Sequence, residues 1–338
     1  MYELCTDIGY VTLTKTGEQL CGDHVELVQQ ADGSVVLVLA DGLGSGVKAN
    51  ILSTLTGKII STMIANGLTL EDCVSTIAAT LPVCAERKVA YSTFTILRIV
   101  DCAEAELIQY DNPHTILLRR GKHVDYPEIC ENIDGKNIYK SRMRLWEGDV
   151  LVAMSDGALN ASQGNTLNMG WDRAAIIDFL ETMYNDSFTA KTWAAMLVEE
   201  CERLYGGQPG DDTSACVIRL RRRQVVNLLF GPPEKREDTN KMLSLFFAKE
   251  GKRIVCGGTT SELAAAYLGK PLDTSMPLYL DPKIPPTSKL QGVDLVTEGV
   301  ITMAKVLEYA EDYVKENRLY MDWSCKKDGA SQIARMLF

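Results

Sequence analysis

Aspartates border the most apolar β-rich runs of this 338-residue chain. Residues 35–40 and 150–154 are almost wholly aliphatic, which is typical of strands buried on both faces. Strand ends within one sheet can converge on one edge, so acidic residues at those ends can be neighbours in space. The acidic sequences are Gly22-Asp23, Asp41-Gly42, Asp156-Gly157 and Gly210-Asp211-Asp212.

Two interpretations of these aspartates are open. A single Asp-Gly pair beside a strand is an ordinary turn, and that interpretation suits each sequence taken alone. Four carboxylates at one edge would repel one another severely unless cations lay between them. All-oxygen ligands suit Mg²⁺ or Mn²⁺ rather than zinc. Two such ions about 3.5–4 Å apart can share a bridging carboxylate and support in-line attack on a phosphate ester.

The first two thirds of the chain predict strands and helices around these aspartates. Residues 25–28 and 35–40 predict an antiparallel pair, because Gly33-Ser34 between them is a turn signal. Apolar residues at helical spacing from Val47 to Ile64 predict a helix that ends before Asn66-Gly67. Further strands are predicted at 91–100, 105–110, 115–119, 150–154 and 213–220, with helices at 70–81, near 171–184 and at 189–204.

The last third has a different pattern. Strands predicted at 225–230, 253–256 and 292–296 alternate with helices at about 239–248 and 299–317 and with a short helix that ends at Leu268. A proline-rich segment covers about 271–286. Alternation of this kind is typical of a small α/β unit with a parallel sheet. We therefore divide the chain into residues 1–222 and residues 223–338.

A glycine- and threonine-rich loop lies between a predicted strand and helix of the second domain. Gly257, Gly258, Thr259 and Thr260 would place free backbone N–H groups at a helix N-terminus, where an anion can bind. Threonine and serine there are also ordinary helix caps. Residues 294–299 repeat this pattern, so two loops would face each other at the carboxyl ends of parallel strands. We expect a ligand loop or a cap here, in a domain that is regulatory or binds a small molecule.

Charge and cysteine usage exclude several classes of protein. The net charge of −10 and the pI of about 5.0 disfavour nucleic-acid binding, which needs cationic contacts. No run approaches the roughly 18 apolar residues of a membrane helix, and the first residues do not resemble a signal peptide. The ten cysteines occur singly, without zinc-site spacing. The sequence therefore predicts a cytoplasmic protein with reduced thiols.

Five short sequences resemble, in order, motifs of the metal-dependent (PPM, protein phosphatase 2C-like) phosphatases. The bacterial branch typified by the stage II sporulation protein E is the most similar. The resemblance runs across about residues 1–220 and implies an α+β fold, a four-layer α-β-β-α sandwich of two antiparallel sheets. The sequences are Gly-Asp-His at 22–24, Ala-Asp-Gly-Leu-Gly-Ser-Gly at 40–46, Asp-Asn-Pro-His at 111–114, Met-Ser-Asp-Gly at 154–157 and Gly-Asp-Asp-Thr at 210–213.

The resemblance also implies roles for the aspartates. Asp41 would bridge two Mn²⁺ or Mg²⁺ ions, and the Gly42 carbonyl would help hold the second ion. Asp23 would bind that second ion directly or through water, while Asp156 and Asp211 would hold the first. Asp41, Asp156 and Asp211 are thus the expected catalytic residues. The implied reaction is hydrolysis of phosphoserine or phosphothreonine by a metal-activated water, without a covalent intermediate.

Other positions depart from the family pattern. Asp212 stands where members have Asn or Asp, and would hydrogen-bond a metal ligand. His24 follows Asp23 by one residue, whereas animal-type members place a histidine general acid two residues on, so His24 is either functional or a polar neighbour. Those members also carry a phosphate-gripping arginine near the first motif, and no counterpart is found there. Asp111 and His114 are expected to be structural.

The prediction is a metal-dependent protein serine/threonine phosphatase. The branch suggests a phosphoprotein substrate similar to an anti-sigma-factor antagonist. Two alternatives stay open: a degenerate phosphatase fold that binds or signals without turnover, and a phosphatase of small-molecule esters. The intact set of aspartates argues against the first alternative, because a dead enzyme has no reason to keep mutually repelling carboxylates.

Overall fold

A computed structural model describes residues 4–30, 32–80, 92–133, 135–161, 171–274, 283–314 and 326–337. The chain separates into two compact units, Met1–Arg222 and Arg223–Phe338. No helix among the described residues is long and apolar enough to cross a membrane. The predicted element ends at 81, 91 and 317, and residues 275–282 of the proline-rich segment, lie outside the described residues.

Unit 1 contains eleven described strands and five described helices, numbered in chain order. The strands are β1 (Leu4–Leu13), β2 (Asp23–Gln29), β3 (Val35–Gly42), β4 (Ser92–Val100), β5 (Glu104–Tyr110), β6 (Ile116–Arg119), β7 (Lys122–His123), β8 (Ile129–Ile133), β9 (Lys136–Arg144), β10 (Val150–Met154) and β11 (Thr213–Arg222). The helices are α1 (Gly46–Ala65), α2 (Leu70–Thr80), α3 (Asp156–Asn160), α4 (Arg173–Thr182) and α5 (Ala190–Leu204).

These strands form two antiparallel sheets. One sheet has the order β2-β3-β4-β5-β9-β8, and the other has the order β1-β11-β10-β6-β7. Leu37 and Leu39 of the first sheet pack against Leu151 and Ile218 of the second, so a core fills the space between the sheets. Side chains within a strand point alternately to opposite faces. The neighbours of Leu37 and Leu39 on β3 therefore face away from that core.

Helices cover the two outer faces. On the six-stranded sheet, Val36 and Val38 of β3 pack with Ile60 of α1 and Val74 of α2. On the five-stranded sheet, α5 begins beside β1, where the Ala190 N–H donates to the carboxylate of Asp7 over 3.0 Å. The layers are thus helix, sheet, sheet and helix, which confirms the predicted four-layer sandwich.

Four strands of unit 1 were not predicted from the sequence, and one of them, β7, is only two residues long. Strand β9 carries Lys140 and Arg142 on its outer face, and charged residues there obscure the apolar alternation. Strand β8 is mostly exposed, and β1 mixes polar and apolar residues along its length. Pairing places them: β1 lies antiparallel to β11 from Leu4↔Arg222 to Leu13↔Thr213.

Unit 2 is a small α/β fold, as the alternating pattern predicts. Strands β12 (Val226–Phe230), β13 (Lys252–Cys256) and β14 (Leu295–Thr297) are parallel in that order. The helices are α6 (Thr239–Ala248), α7 (Gly258–Leu268), α8 (Val300–Val314) and α9 (Gly329–Leu337). Helices α6 and α7 cover one face, and α8 and α9 cover the other. Helix α9 was not predicted, and β14 begins three residues later than expected.

Candidate metal centre

Four predicted aspartates from the two sheets meet at one end of the sandwich. Asp23 is the first residue of β2 and lies opposite Asp41 on β3. Asp156 follows β10 as the first residue of α3, and Asp211 lies two residues before β11. The carboxylates of Asp23, Asp156 and Asp211 all act electrostatically on Asp41. Two antiparallel sheets therefore contribute to one acidic cluster.

Ser155 joins the two sheets at this cluster. Its hydroxyl donates to Asp23 Oδ2 over 2.7 Å and accepts from the Ser214 N–H over 2.8 Å. Asp23 belongs to one sheet, whereas Ser155 and Ser214 belong to chain segments of the other. Ser155 is fully buried. Sequence reasoning missed this residue, although the signal was present as the hydroxyl residue that precedes Asp156.

Burial and mutual repulsion perturb the carboxyl groups. Burial, followed by the charges of Asp23, Asp156 and Asp211, raises the pKa of Asp41 to about 10. Burial is also the largest cause of a raised pKa at Asp23, to about 7, at Asp156 and at Asp211. Asp41 and Asp156 share a hydrogen bond. Without cations, the cluster therefore holds protons that isolated carboxyl groups would release at neutral pH.

Two carboxylate oxygens in the cluster have no hydrogen-bond partner within the part of the chain that the structure describes. They are Asp23 Oδ1 and Asp212 Oδ2, and both are buried. An unpaired buried oxygen of a carboxylate is costly, and a cation removes that cost. Among the described residues, no three His, Cys, Asp or Glu side chains already converge closely enough to enclose an ion. In chemistry, the carboxylate oxygens of this cluster fit a hard divalent cation.

Glycines keep the backbone close around this cluster. A Cβ at Gly42 would lie 2.1 Å from the carbonyl oxygen of Ala49 in α1. A Cβ at Gly157 would lie 2.1 Å from the carbonyl oxygen of Asp212. No side chain fits at either position without moving backbone. The Asp-Gly pairs therefore have a packing reason in addition to any role in binding metals.

Asp212 and Cys21 form the buried edge of the cluster. Asp212 Oδ1 accepts from the Lys15 N–H over 3.0 Å, which fixes the carboxylate. Burial, followed by the charges of Asp23 and Asp212, raises the pKa of the Cys21 thiol. The thiol therefore stays protonated and unreactive. Cys21 was not singled out in the sequence, because a lone cysteine gives no local signal.

His24 is not brought to the carboxylates. It lies next to Asp23 on β2 and therefore points to the opposite face of the sheet. Its Nε2 lies 3.1 Å from Glu26 Oε2, and Glu26 also pairs with Lys58 of α1. The ring packs near Gly57 of α1. His24 is thus a polar neighbour on the helical side of the sheet.

The turn at residues 111–114 lies at the same end of the sandwich. Asn112 Oδ1 accepts from the Thr93 hydroxyl over 2.5 Å, and Thr93 lies directly opposite Asp41. Asp111 adopts a left-handed backbone conformation, with φ of 58°. His114 Nδ1 lies 2.9 Å from Glu128 Oε1. The turn is therefore held in place by polar contacts beside the acidic cluster.

The predicted loop of unit 2 follows β13 and opens α7. The Gly257 N–H donates to the Thr297 carbonyl over 2.9 Å, so this loop lies against the one that follows β14. A Cβ at Gly299 would lie 3.5 Å from the Gly257 Cα. Gly257 is the N-cap and provides no side-chain cap. A carboxylate oxygen of Glu298 would lie 3.7 Å from a Cβ at Gly258.

Comparison with solved structures defines the class of this fold. The PP2C phosphatase domain of SpoIIE from Bacillus subtilis, solved with a fragment of its regulatory domain, superposes with a TM-score of 0.56 at 19% identity, covering 67% of this chain and 66% of that one. The RsbU and RsbW domains of Rv1364c from Mycobacterium tuberculosis give a TM-score of 0.53 at 15% identity, covering 73% and 71%. At these identities, the similarity shows a shared PP2C-type fold.

Sequence comparison identifies the family. The family described as Stage II sporulation protein E (SpoIIE) matches residues 31–221, more than half of the chain, and the chain belongs to this family. Stage II sporulation protein E of Bacillus subtilis (strain 168) is 24% identical over 218 residues. That match covers 63% of this chain and 25% of the relative, so this chain corresponds to about a quarter of the relative's length. The predicted family is confirmed.

Proposed function

We propose that residues 1–222 form a metal-dependent protein serine/threonine phosphatase. The observation that carries the proposal is the meeting of Asp23, Asp41, Asp156 and Asp211 at one end of a PP2C-type sandwich. Two observations support the binding of hard divalent cations here: Asp23 Oδ1 has no hydrogen-bond partner among the described residues, and the pKa values of Asp23 and Asp41 are raised. Membership of the SpoIIE family supports phosphate-ester hydrolysis as the reaction.

The aspartates would hold two Mn²⁺ or Mg²⁺ ions. Their ligands would come from Asp23, Asp41, Asp156 and Asp211, together with the Gly42 carbonyl. Such ions polarise a phosphate ester and lower the pKa of a water molecule. Ser155 keeps Asp23 in one orientation through its 2.7 Å hydrogen bond. Asp212, fixed by the Lys15 N–H, lies behind the cluster and would orient it.

The proposed substrate is a phosphoserine or phosphothreonine protein of the cytoplasm, with an anti-sigma-factor antagonist-like protein as the first candidate. Two alternatives compete with it. A phosphatase-fold module without turnover would bind a partner and would show no hydrolysis when metal is added. A small-molecule phosphomonoesterase would turn over small esters and show no preference for phosphopeptides.

Hydrolysis assays separate these alternatives. We would follow p-nitrophenyl phosphate and a phosphothreonine peptide with Mn²⁺, with Mg²⁺ and with excess chelator. Asp41→Asn should lower the metal-dependent rate by about a thousandfold or more, because the bridging carboxylate contributes several kcal/mol to the transition state. Asp178→Asn, the same change at an exposed site on α4, is the matched control. Equal rates in chelator and in metal, for every variant, would refute the proposal.

We also propose that unit 2 binds a small molecule at the paired loops after β13 and β14. The support is the direct contact between Gly257 and the segment from Thr297 to Gly299. Glu298 lies near the N-terminus of α7, where a bound anion would otherwise lie. A ligand that presents hydroxyl or amino groups therefore fits better than phosphate. Thermal-shift screening of nucleosides, amino acids and sugars, compared with Glu298→Gln, tests this proposal; no hit on the native chain would count against it.

A further inference from the structure

A cleft of about 300 Å³ opens in unit 1 outside the aspartate cluster. It contains two of the chain's three histidines and one arginine. None of these residues has a part in the metal-binding proposal. We call this cavity the Arg173 cleft, and its lining residues are His114, His123, Asp125, Tyr126, Glu128 and Arg173.

The Arg173 cleft lies at the same end of the sandwich as the aspartates. Strand β6 pairs with β10 in the register Ile116↔Val152. Continued by two residues, this antiparallel register places His114 level with Met154, two residues before Asp156. On the other sheet, Asn112 is bonded to Thr93, which faces Asp41 across β3 and β4. The side of the cleft that carries His114 therefore lies at the aspartate end of the sandwich.

Arg173 has no acidic partner among the residues that the structure describes. Its Nε and one terminal nitrogen donate to the carbonyl oxygens of His114 and Thr115, each over a long 3.4 Å. The adjacent Asp172 is engaged elsewhere, because its carboxylate accepts from the Ala175 N–H and caps α4. A half-buried guanidinium that touches only carbonyl oxygens keeps the capacity to bind a carboxylate.

The acidic residues of the cleft are already engaged or turned outward. Glu128 Oε1 lies 2.9 Å from His114 Nδ1 and accepts from Gln109 Nε2 over 3.2 Å. The Asp125 side chain is fully exposed, and its Oδ1 lies 3.9 Å from His123 Nε2. Within the described part of the chain, neither carboxylate of the cleft pairs with Arg173, the one arginine that lines it.

We infer that the Arg173 cleft recognises an acidic side chain of the substrate, one that flanks the phosphorylated residue. The inference rests on the proposed phosphatase function and adds a specificity-determining residue to it. Arg173 would form a charge-assisted hydrogen bond with an Asp or Glu of the phosphoprotein. The reaction itself would not need this contact. The rate of hydrolysis of a small ester that does not reach the cleft should therefore not depend on Arg173.

The test uses the full chain and a set of phosphothreonine peptides with neutral flanks. Each peptide carries a single Asp at one of about four positions on either side of the phosphothreonine. Binding is measured by fluorescence anisotropy in the Asp41→Asn background, and turnover is measured in parallel with the native chain. One or two Asp positions should tighten binding about tenfold, the size expected of a partly exposed charge-assisted bond.

Variants of Arg173 then decide the role of the guanidinium. Arg173→Ala should abolish the Asp preference and leave the kcat/KM for p-nitrophenyl phosphate unchanged. Arg173→Glu should reverse the preference toward peptides with Lys at the same positions, a result that loss of structure does not produce. Arg142 is an exposed arginine on β9 that pairs with Glu104 of β5. Arg142→Ala should change neither the Asp preference nor the kcat/KM for p-nitrophenyl phosphate.

Two results separate the inference from the phosphatase proposal. If binding shows an Asp preference that depends on Arg173, but the native chain shows no turnover, the inference about the Arg173 cleft is supported and the proposed phosphatase activity is refuted. Turnover with no Asp preference, or with a preference that survives in Arg173→Ala, would overturn the inference alone.

Discussion

Asp41→Asn should make the metal-free protein more stable, although it removes the proposed bridging ligand. Burial and three neighbouring carboxylates raise the pKa of Asp41 to about 10, so the folded metal-free state keeps this proton at neutral pH. The unfolded chain releases the proton near pH 4. The folded state therefore binds more protons than the unfolded state between these values, and stability falls as pH rises.

The size of the effect follows from the unfolded state. At pH 7, ionisation of Asp41 in the unfolded chain favours unfolding by about 4 kcal/mol, whatever the folded pKa above 7. Asparagine does not ionise and should recover about 2 to 4 kcal/mol, since the neighbouring carboxyl groups share the relief. For a unit of this size, the gain corresponds to about 5–15 °C in Tm. At pH 5, it should shrink to between about 1 and 2 kcal/mol.

Urea unfolding in chelator, at pH 5 and at pH 7, measures this difference. Asp178→Asn, an exposed aspartate, should match the native chain at both values. Adding Mn²⁺ should stabilise the native chain, because a ligand that binds only the folded state raises the free energy of unfolding. The effect on Asp41→Asn should be much smaller, because this variant lacks one of the proposed metal ligands. The reasoning is refuted if Asp41→Asn is no more stable than the native chain at pH 7, or if its gain is the same at pH 5.

Three further predictions address the same end of the sandwich. Ser155→Ala should lower the free energy of unfolding by about 1–3 kcal/mol, since it leaves Asp23 and the Ser214 N–H without their partner; equilibrium unfolding would show no loss if the bond is unimportant. Gly42→Ala should cost about 3 kcal/mol or more, because its Cβ would meet backbone at 2.1 Å, and a change in Tm below about 2 °C would contradict the packing. The Tm of the native chain in chelator should fall from pH 5 to pH 8, because the raised pKa values of Asp23 and Asp41 give the folded state extra protons. Added Mn²⁺ should make the Tm depend less on pH. A Tm in chelator that stays constant or rises with pH would argue against buried protonated carboxyl groups.

Strong local patterns predicted several elements correctly. The aliphatic run at 35–40 became the buried strand β3, and the helical spacing after Val47 became α1. The helix predicted at 239–248 has the same bounds in the structure. These segments have one dominant periodicity, and their tertiary environment agrees with it.

The same reasoning failed where exposure or pairing decides the conformation. Strand β9 alternates charged and apolar residues but was not recognised, since its partner β5 lies 26 or more residues earlier in the chain. The position of His24 was equally hidden. Its neighbour Asp23 faces the cluster, and only the alternation of a paired strand shows that the two side chains point to opposite faces.

The sequence by itself determined the family, the order of the five aspartate-containing motifs, and the chemistry of hard oxygen donors. Only the tertiary structure decided that Asp23 and Asp41 of one sheet meet Asp156 and Asp211 of the other. It also decided that Ser155 links the sheets and that Arg173 donates to the His114 and Thr115 carbonyl oxygens, with no acidic partner in the described part of the chain. The physical reason is that a residue's type is local, whereas its neighbours across two sheets depend on strand register and on packing between residues more than a hundred positions apart.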